Sequence, residues 1–158
     1  MAADYRFVTA WCLQSPVERV FDAIHDSARW PEWWKGVQRA EMLEPGGEDG
    51  VGRVWRYVWR SRLPYELGFD SRVTRVERPF LLEGDAWGEL NGVGRWRFYE
   101  GNGATAAVYE WNVSTSRPWM NRIAPVARPV FAWNHDVIMR QGAEGLARLL
   151  DAPLLVRS

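Results

Sequence analysis

SPVERVFDAIHDSARWPEWWKGV, residues 15–37, is the stretch on which the fold turns. Ser15 and Glu18 have the spacing of a capping box, and Pro16 suits the first helical position, where a missing N–H costs nothing. Val17, Val20, Phe21 and Ile24 then recur at i, i+3, i+4 and i+7, which predicts one apolar helix face. The periodicity stops near His25 and Asp26. A second short helix is predicted on WPEWW, where Trp30, Trp33 and Trp34 fall on one side of a single turn. Pro31 is placed to start that turn and Gly36 to end it.

Outside this helix pair the period is two. YRFVTAWCL (5–13) reads as a strand, and from Val37 onward strands are predicted over 37–43, 51–60, 67–76, 81–90, 95–100 and 105–115. The glycine-rich stretches PGGEDGVG (45–52), NGVG (91–94) and GNG (101–103) read as the turns between them. Trp55, Tyr57 and Trp59 share one side of their strand, with Arg56 and Arg60 on the other. Phe69, Ser71 and Val73 share a side, as do Trp96 with Phe98, and Ala107, Tyr109, Trp111 and Val113. After a lead-in punctuated by Pro118, Pro125 and Pro129, a long helix is predicted from Pro129 to Leu150, ended by Pro153. Val130, Phe131, Val137, Ile138, Leu146, Leu149 and Leu150 supply its apolar face. Gly142 and Gly145 each cost about 1 kcal/mol against alanine inside a helix, which calls for close packing or for space left to a ligand.

Charge and composition narrow the function. Twenty basic and 20 acidic residues cancel over 158 positions, which gives no footprint for nucleic acid. Cys12 is the only cysteine, so no internal disulfide forms and a reducing, cytoplasmic setting is expected. The N-terminus lacks a signal-peptide pattern, and no stretch is long and apolar enough to span a membrane. Residues 1–158 are expected to form a single domain. The 11 tryptophans are the outlier, and such rigid rings either fill a core or line a pocket for flat, apolar ligands.

Chemistry-bearing motifs are scarce. His25 and His135 are the only histidines and have no metal-ligand spacing, so no metal is expected. No phosphate loop, dinucleotide fingerprint or nucleophile elbow occurs, and no cofactor is expected. In FAWNHDVIM, Asn134 and His135 lie one turn after Phe131 and one turn before Ile138. They are either hydrogen-bonded or edge-exposed structural groups, or they project inward to orient a ligand, with His135 the one candidate general base. Glu83, Asp85 and Glu89 share a parity that reads as a solvated face, and Arg95, Arg97 and Asp70 likewise read as the wet side of their strands.

The order is strand, two short helices, about six strands and one long helix. It resembles the helix-grip fold of the superfamily that unites StAR-related lipid-transfer proteins, polyketide cyclases and birch-pollen-allergen-like proteins (SRPBCC). SPVERVFDAIHDSARWPEWWKGV looks like that superfamily's opening helix pair, GVGRVWRYVW like its third strand, and VTRVERPFLL with GELNGVGRWRF like its central hairpin. The nearest group is the bacterial polyketide cyclase/dehydrase and lipid-transport family. The resemblance implies an α+β fold in which a curved antiparallel sheet of about seven strands grips the C-terminal helix. It also implies an internal cavity for a hydrophobic small molecule, and it carries over no fixed catalytic residue. On this basis the expected ligand-binding residues are Trp33, Trp55, Tyr57, Trp59, Phe69, Trp96, Phe98, Tyr109, Trp111, Phe131, Asn134, His135 and Ile138. Trp30 and Trp34 are expected to anchor their turn to the mouth of the fold, with Trp33 at the entrance. Three functions stay open: a non-catalytic carrier or sensor of a lipid, polyketide-like or aromatic molecule; a cyclase or dehydratase using His135, Tyr57 or Tyr109; and an interaction module using exposed tryptophans.

Overall fold

Alternating side chains fold the middle of the chain into strands, and the sheet they build has one aromatic face that needs a cover. The computed structural model describes residues 3–115, 118, 122 and 124–157. In chain order the elements are β1 (Ala3–Leu13), α1 (Val17–His25), a 3-10 turn (Ser27–Arg29), α2 (Trp30–Trp33), β2 (Val37–Glu44), β3 (Val54–Trp59), β4 (Leu67–Glu77), β5 (Leu81–Gly88), β6 (Leu90–Gly101), β7 (Ala104–Thr115), α3 (Ala124–Leu150) and β8 (Leu154–Arg157). All strands join one antiparallel sheet in the order β2-β3-β4-β5-β6-β7-β1-β8. The sheet curves around α3, and α1 and α2 close one end. This is the helix-grip architecture, with eight strands where about seven were expected. The extra strand, β8, pairs with β1 through Trp11↔Arg157 and Cys12↔Val156. Four residues after Pro153 are too few to display a period.

α1 buries Val17, Val20, Phe21 and Ile24, as its periodicity requires. The capping box does not form. Pro16 occupies the N-cap in an extended conformation without a side-chain cap, and the buried Ser15 hydroxyl has no partner. The Ser15 carbonyl instead accepts the Thr105 hydroxyl at 2.7 Å, tying the entry of α1 to β7. The NGVG turn is also displaced. The β5–β6 hairpin closes at Gly88 and Glu89, and residues 91–94 run inside β6. Glu89 is not on a solvated face: half-buried, its carboxylate accepts the Gly68 N–H. α3 begins before the expected Pro129, which lies inside it and forfeits one backbone bond. Val130 and Leu149 lie off its buried stripe and are exposed. Most of the proline-marked lead-in lies outside the described residues.

The two helical glycines explain how α3 is seated. A Cβ on Gly142 would stand 2.5 Å from Trp34 Cε2 and 2.7 Å from Trp11 Cη2. A Cβ on Gly145 would stand 1.7 Å from the Trp33 carbonyl oxygen. Into this notch the Trp34 indole N–H donates to the Ile138 carbonyl at 2.8 Å. The Trp30 indole donates back to the Ile24 carbonyl at 3.0 Å, locking α2 onto α1.

Gly145→Ala gains about 1 kcal/mol of helix propensity, yet it drives a methyl into backbone. A net loss of about 2 kcal/mol or more is expected in urea unfolding followed by circular dichroism. Gly101→Ala, where an added Cβ meets nothing within 4 Å, is the control and should leave the midpoint unchanged. A Gly145→Ala protein as stable as the parent would contradict this packing.

Candidate functional site

A sheet that packs a helix along its whole length leaves no room between them. Here two glycines open the space. Gly84 on β5 and Gly94 on β6 are paired across the strands, on the inward parity shared with Leu82 and Trp96. A Cβ on Gly94 would lie 2.6 Å from the Tyr109 hydroxyl and 3.0 Å from the Trp111 ring. A cavity of about 210 Å³ lies over this bare patch. Its far side is formed by Phe131, Asn134, His135, Ile138 and Met139 of α3, and one end by Ile24, Trp30 and Trp34. An apolar cavity of about 150 Å³ takes up benzene, so this space suits a ligand of one or two rings.

Rings make the walls. Trp30 stacks on Tyr57 at 5.1 Å with 12° between planes, and Tyr57 meets Phe69 at 5.7 Å. Phe69 meets Trp111 at 5.5 Å, and Trp96 meets Tyr109 at 4.4 Å. Of the expected ligand-binding residues, Trp55, Tyr57, Trp59, Phe69, Trp96, Tyr109, Trp111, Phe131, Asn134, His135 and Ile138 line this one cavity. Trp33 and Phe98 do not. Trp33 is buried against α3 and stacks on Trp34 at 5.4 Å, because Trp34 leaves the helical conformation and takes the inward place. Phe98 is core, edge-on to Phe21 at 5.4 Å.

Several lining residues escaped the sequence reading. Tyr5 and Phe7 carry the parity of buried Trp11 on β1, a signal that was available in the alternation. His25 and Ser27 come from the loop end of α1, where no period reports orientation. Gly84 and Gly94 lack a side chain, and Gly94 resembled a turn residue.

The histidines of the lining, and its phenols Tyr57 and Tyr109, are held neutral. His135 stacks on Phe7 at 4.0 Å with 11° between planes. Neither of its ring nitrogens has a partner, so it is neither a hydrogen-bonded nor an edge-exposed structural histidine, and burial lowers its pKa to about 4. His25 is also pushed down, by burial first and then by Arg78 and Arg53, against a backbone hydrogen bond with Asp49. The Tyr57 hydroxyl donates to Ser27 Oγ at 2.8 Å, and burial drives its pKa far above the usual tyrosine value. Burial does the same to Tyr109, with nearby Tyr57 adding to it. Glu83 reaches the lining, but its carboxylate accepts Arg95 Nε at 2.6 Å. Among the described residues, no group of three or more His, Cys, Asp or Glu side chains is arranged to hold a metal ion.

The chain belongs to the polyketide cyclase / dehydrase and lipid transport family, which matches residues 13–151. No curated protein matches the sequence. Among solved structures it is similar to the di-domain aromatase/cyclase BexL from the BE-7585A biosynthetic pathway, with TM-score 0.73 and 20% identity, covering 95% of this chain and 51% of that one. The chain thus spans about half the length of BexL. It is also similar to the Zhui aromatase/cyclase from a Streptomyces species, with TM-score 0.75 and 13% identity over 94% of each chain. A third likeness is to the protein TTHA0849 from Thermus thermophilus, with TM-score 0.74 and 14% identity over 93% of this chain and 99% of that one. At these identities the likeness is one of fold.

The lowered pKa of His135 gives a sign to the pH dependence. The unfolded chain takes this proton near pH 6.5 and the folded chain only near 4. Stability from the neutral ring is therefore full above pH 6.5 and is lost as pH falls toward 4, by on the order of 3 kcal/mol. His135→Leu should unfold with a visibly flatter stability curve between pH 6.5 and 4 than the parent. Parallel curves would contradict the buried neutral imidazole.

Proposed function

We propose that this protein binds an apolar, ring-containing small molecule in the cavity between the sheet and α3 and serves as a carrier or sensor without catalysis of its own. The observation that carries this reading is the roughly 210 Å³ hollow walled by aromatic rings. Flat apolar ligands gain dispersion and burial there, at little cost in reorganising rigid side chains.

The cyclase reading draws support from the family's description and from the aromatase/cyclases with the same fold. The local chemistry weighs against it. A general base works best with a pKa near the operating pH, and His135 at about 4 is far below it. Tyr57 and Tyr109 are shifted the other way and keep their protons. The interaction reading needs contiguous exposed rings. Among the described tryptophans only Trp87, at 37%, and Trp133, at 48%, stand out as exposed. They sit on β5 and α3, and Trp87 is covered on one face by Arg72 at 5.7 Å. No helix among the described residues is long and apolar enough to cross a membrane.

Native mass spectrometry of the protein as purified should show an added mass of one small apolar molecule, or uptake of one tetralin per chain on titration. Ser71 faces the hollow, and Ser71→Phe should fill it and weaken tetralin binding at least tenfold while the circular dichroism spectrum is unchanged. Unaltered binding in that variant, or no binding to the parent, would refute the proposal.

A further inference from the structure

The cavity is poor in charge, and that restricts what it can admit. Among the described residues, no lysine or arginine belongs to its lining, and the carboxylate that does, that of Glu83, is engaged by Arg95. The arginines near His25 stand outside the lining and are occupied: Arg78 pairs with Asp22, and Arg53 Nε donates to the Pro45 carbonyl at 2.9 Å. A ligand carboxylate would shed its water and find no cation, which is strongly unfavourable. A neutral polar group meets a different surface. Tyr57 spends its proton on Ser27. Tyr109 does not: its hydroxyl makes no hydrogen bond to any described residue and lies over Gly94, in the floor of the hollow. Its ring is clasped by Trp96 at 4.4 Å and Trp111 at 5.9 Å, which fixes the position of the hydroxyl oxygen.

Building on the ligand-binding reading above, we infer that Tyr109 is a hydrogen-bond donor that orients a neutral, carbonyl-bearing ligand of one or two rings, and that the same cavity rejects carboxylates. The selectivity arises from an unspent phenol in the cavity floor, with no cation among the described lining residues. An acceptor oxygen on the ligand satisfies that phenol, whereas a plain hydrocarbon leaves it unpaired.

Three two-ring probes separate the possibilities by calorimetric titration at pH 7: α-tetralone, tetralin and 2-naphthoate. The parent protein should bind α-tetralone about fivefold more tightly than tetralin, the span of one net hydrogen bond. It should bind 2-naphthoate at least tenfold more weakly than α-tetralone. Tyr109→Phe should abolish the preference for α-tetralone over tetralin. Infrared difference spectra of the parent complex need no variant: the ketone C=O band should lie at lower wavenumber than in hexane. Tetralin binding without an α-tetralone preference, an unshifted band, or naphthoate binding as tight as the ketone would overturn this inference while sparing the ligand-binding proposal. Failure of tetralin itself to bind would remove both.

Discussion

The Trp34 indole, donating to the Ile138 carbonyl at 2.8 Å, sets the distance between the helical layer and the sheet. A tryptophan can approach a helix that closely only where the helix has no side chains, and Gly142 and Gly145 provide that gap. The same ring meets Trp11 of β1 at 5.3 Å and Trp59 of β3 at 5.0 Å. One residue therefore joins α2, α3 and two well-separated strands. A buried indole N–H gains by finding an acceptor; those of Trp11, Trp33 and Trp59 find none, whereas the acceptor of Trp34 belongs to the backbone of α3. The seat of the helix is thus specified by chemistry as well as by shape.

With α3 fixed at that end, the opposite wall decides what lies beneath it. At Leu82 and Trp96 the inward side chains of β5 and β6 join the core. One pair further along, Gly84 faces Gly94 and nothing rises from the sheet. Large rings on both flanks are too rigid to collapse into the gap. Interiors ordinarily close-pack, and an unfilled cavity forfeits dispersion contacts. The cost is compounded by polar atoms left without partners around it, among them both nitrogens of His135, Asn134 Oδ1 and the Tyr5 hydroxyl. Buried polar groups are rarely orphaned without a reason. A site that gains these missing contacts when something enters it is such a reason.

How far the sequence alone reaches is clear from particular residues. Val17, Val20, Phe21 and Ile24 announce their helix because an apolar face repeats there with a helical period. Trp55, Tyr57 and Trp59 announce theirs because charged residues alternate with them. The inward parity of Tyr109 and Trp111 is legible for the same cause, and with it most of the cavity wall. Glycine defeats this kind of reading, since its two uses, permitting a turn and omitting a side chain, look alike in a string. NGVG reads as a hairpin by its composition, yet it runs inside β6, where Gly94 forms part of the cavity floor. Trp33 was misplaced because a single helical turn states which residues are neighbours, not which of them stays helical. Ser15 has the right spacing for a cap, but its carbonyl is held by Thr105, a partner 90 positions away that no local pattern reports.

Each of these threads converges on an apolar void above Gly84 and Gly94. Crystals of the protein pressurised with xenon would reveal it, because xenon enters dry apolar cavities and scatters strongly. Ordered xenon is expected between Gly94, Trp111 and Phe131. Side-chain density filling that space, with no xenon bound there, would mean that the sheet and α3 pack solidly and that no ligand site exists.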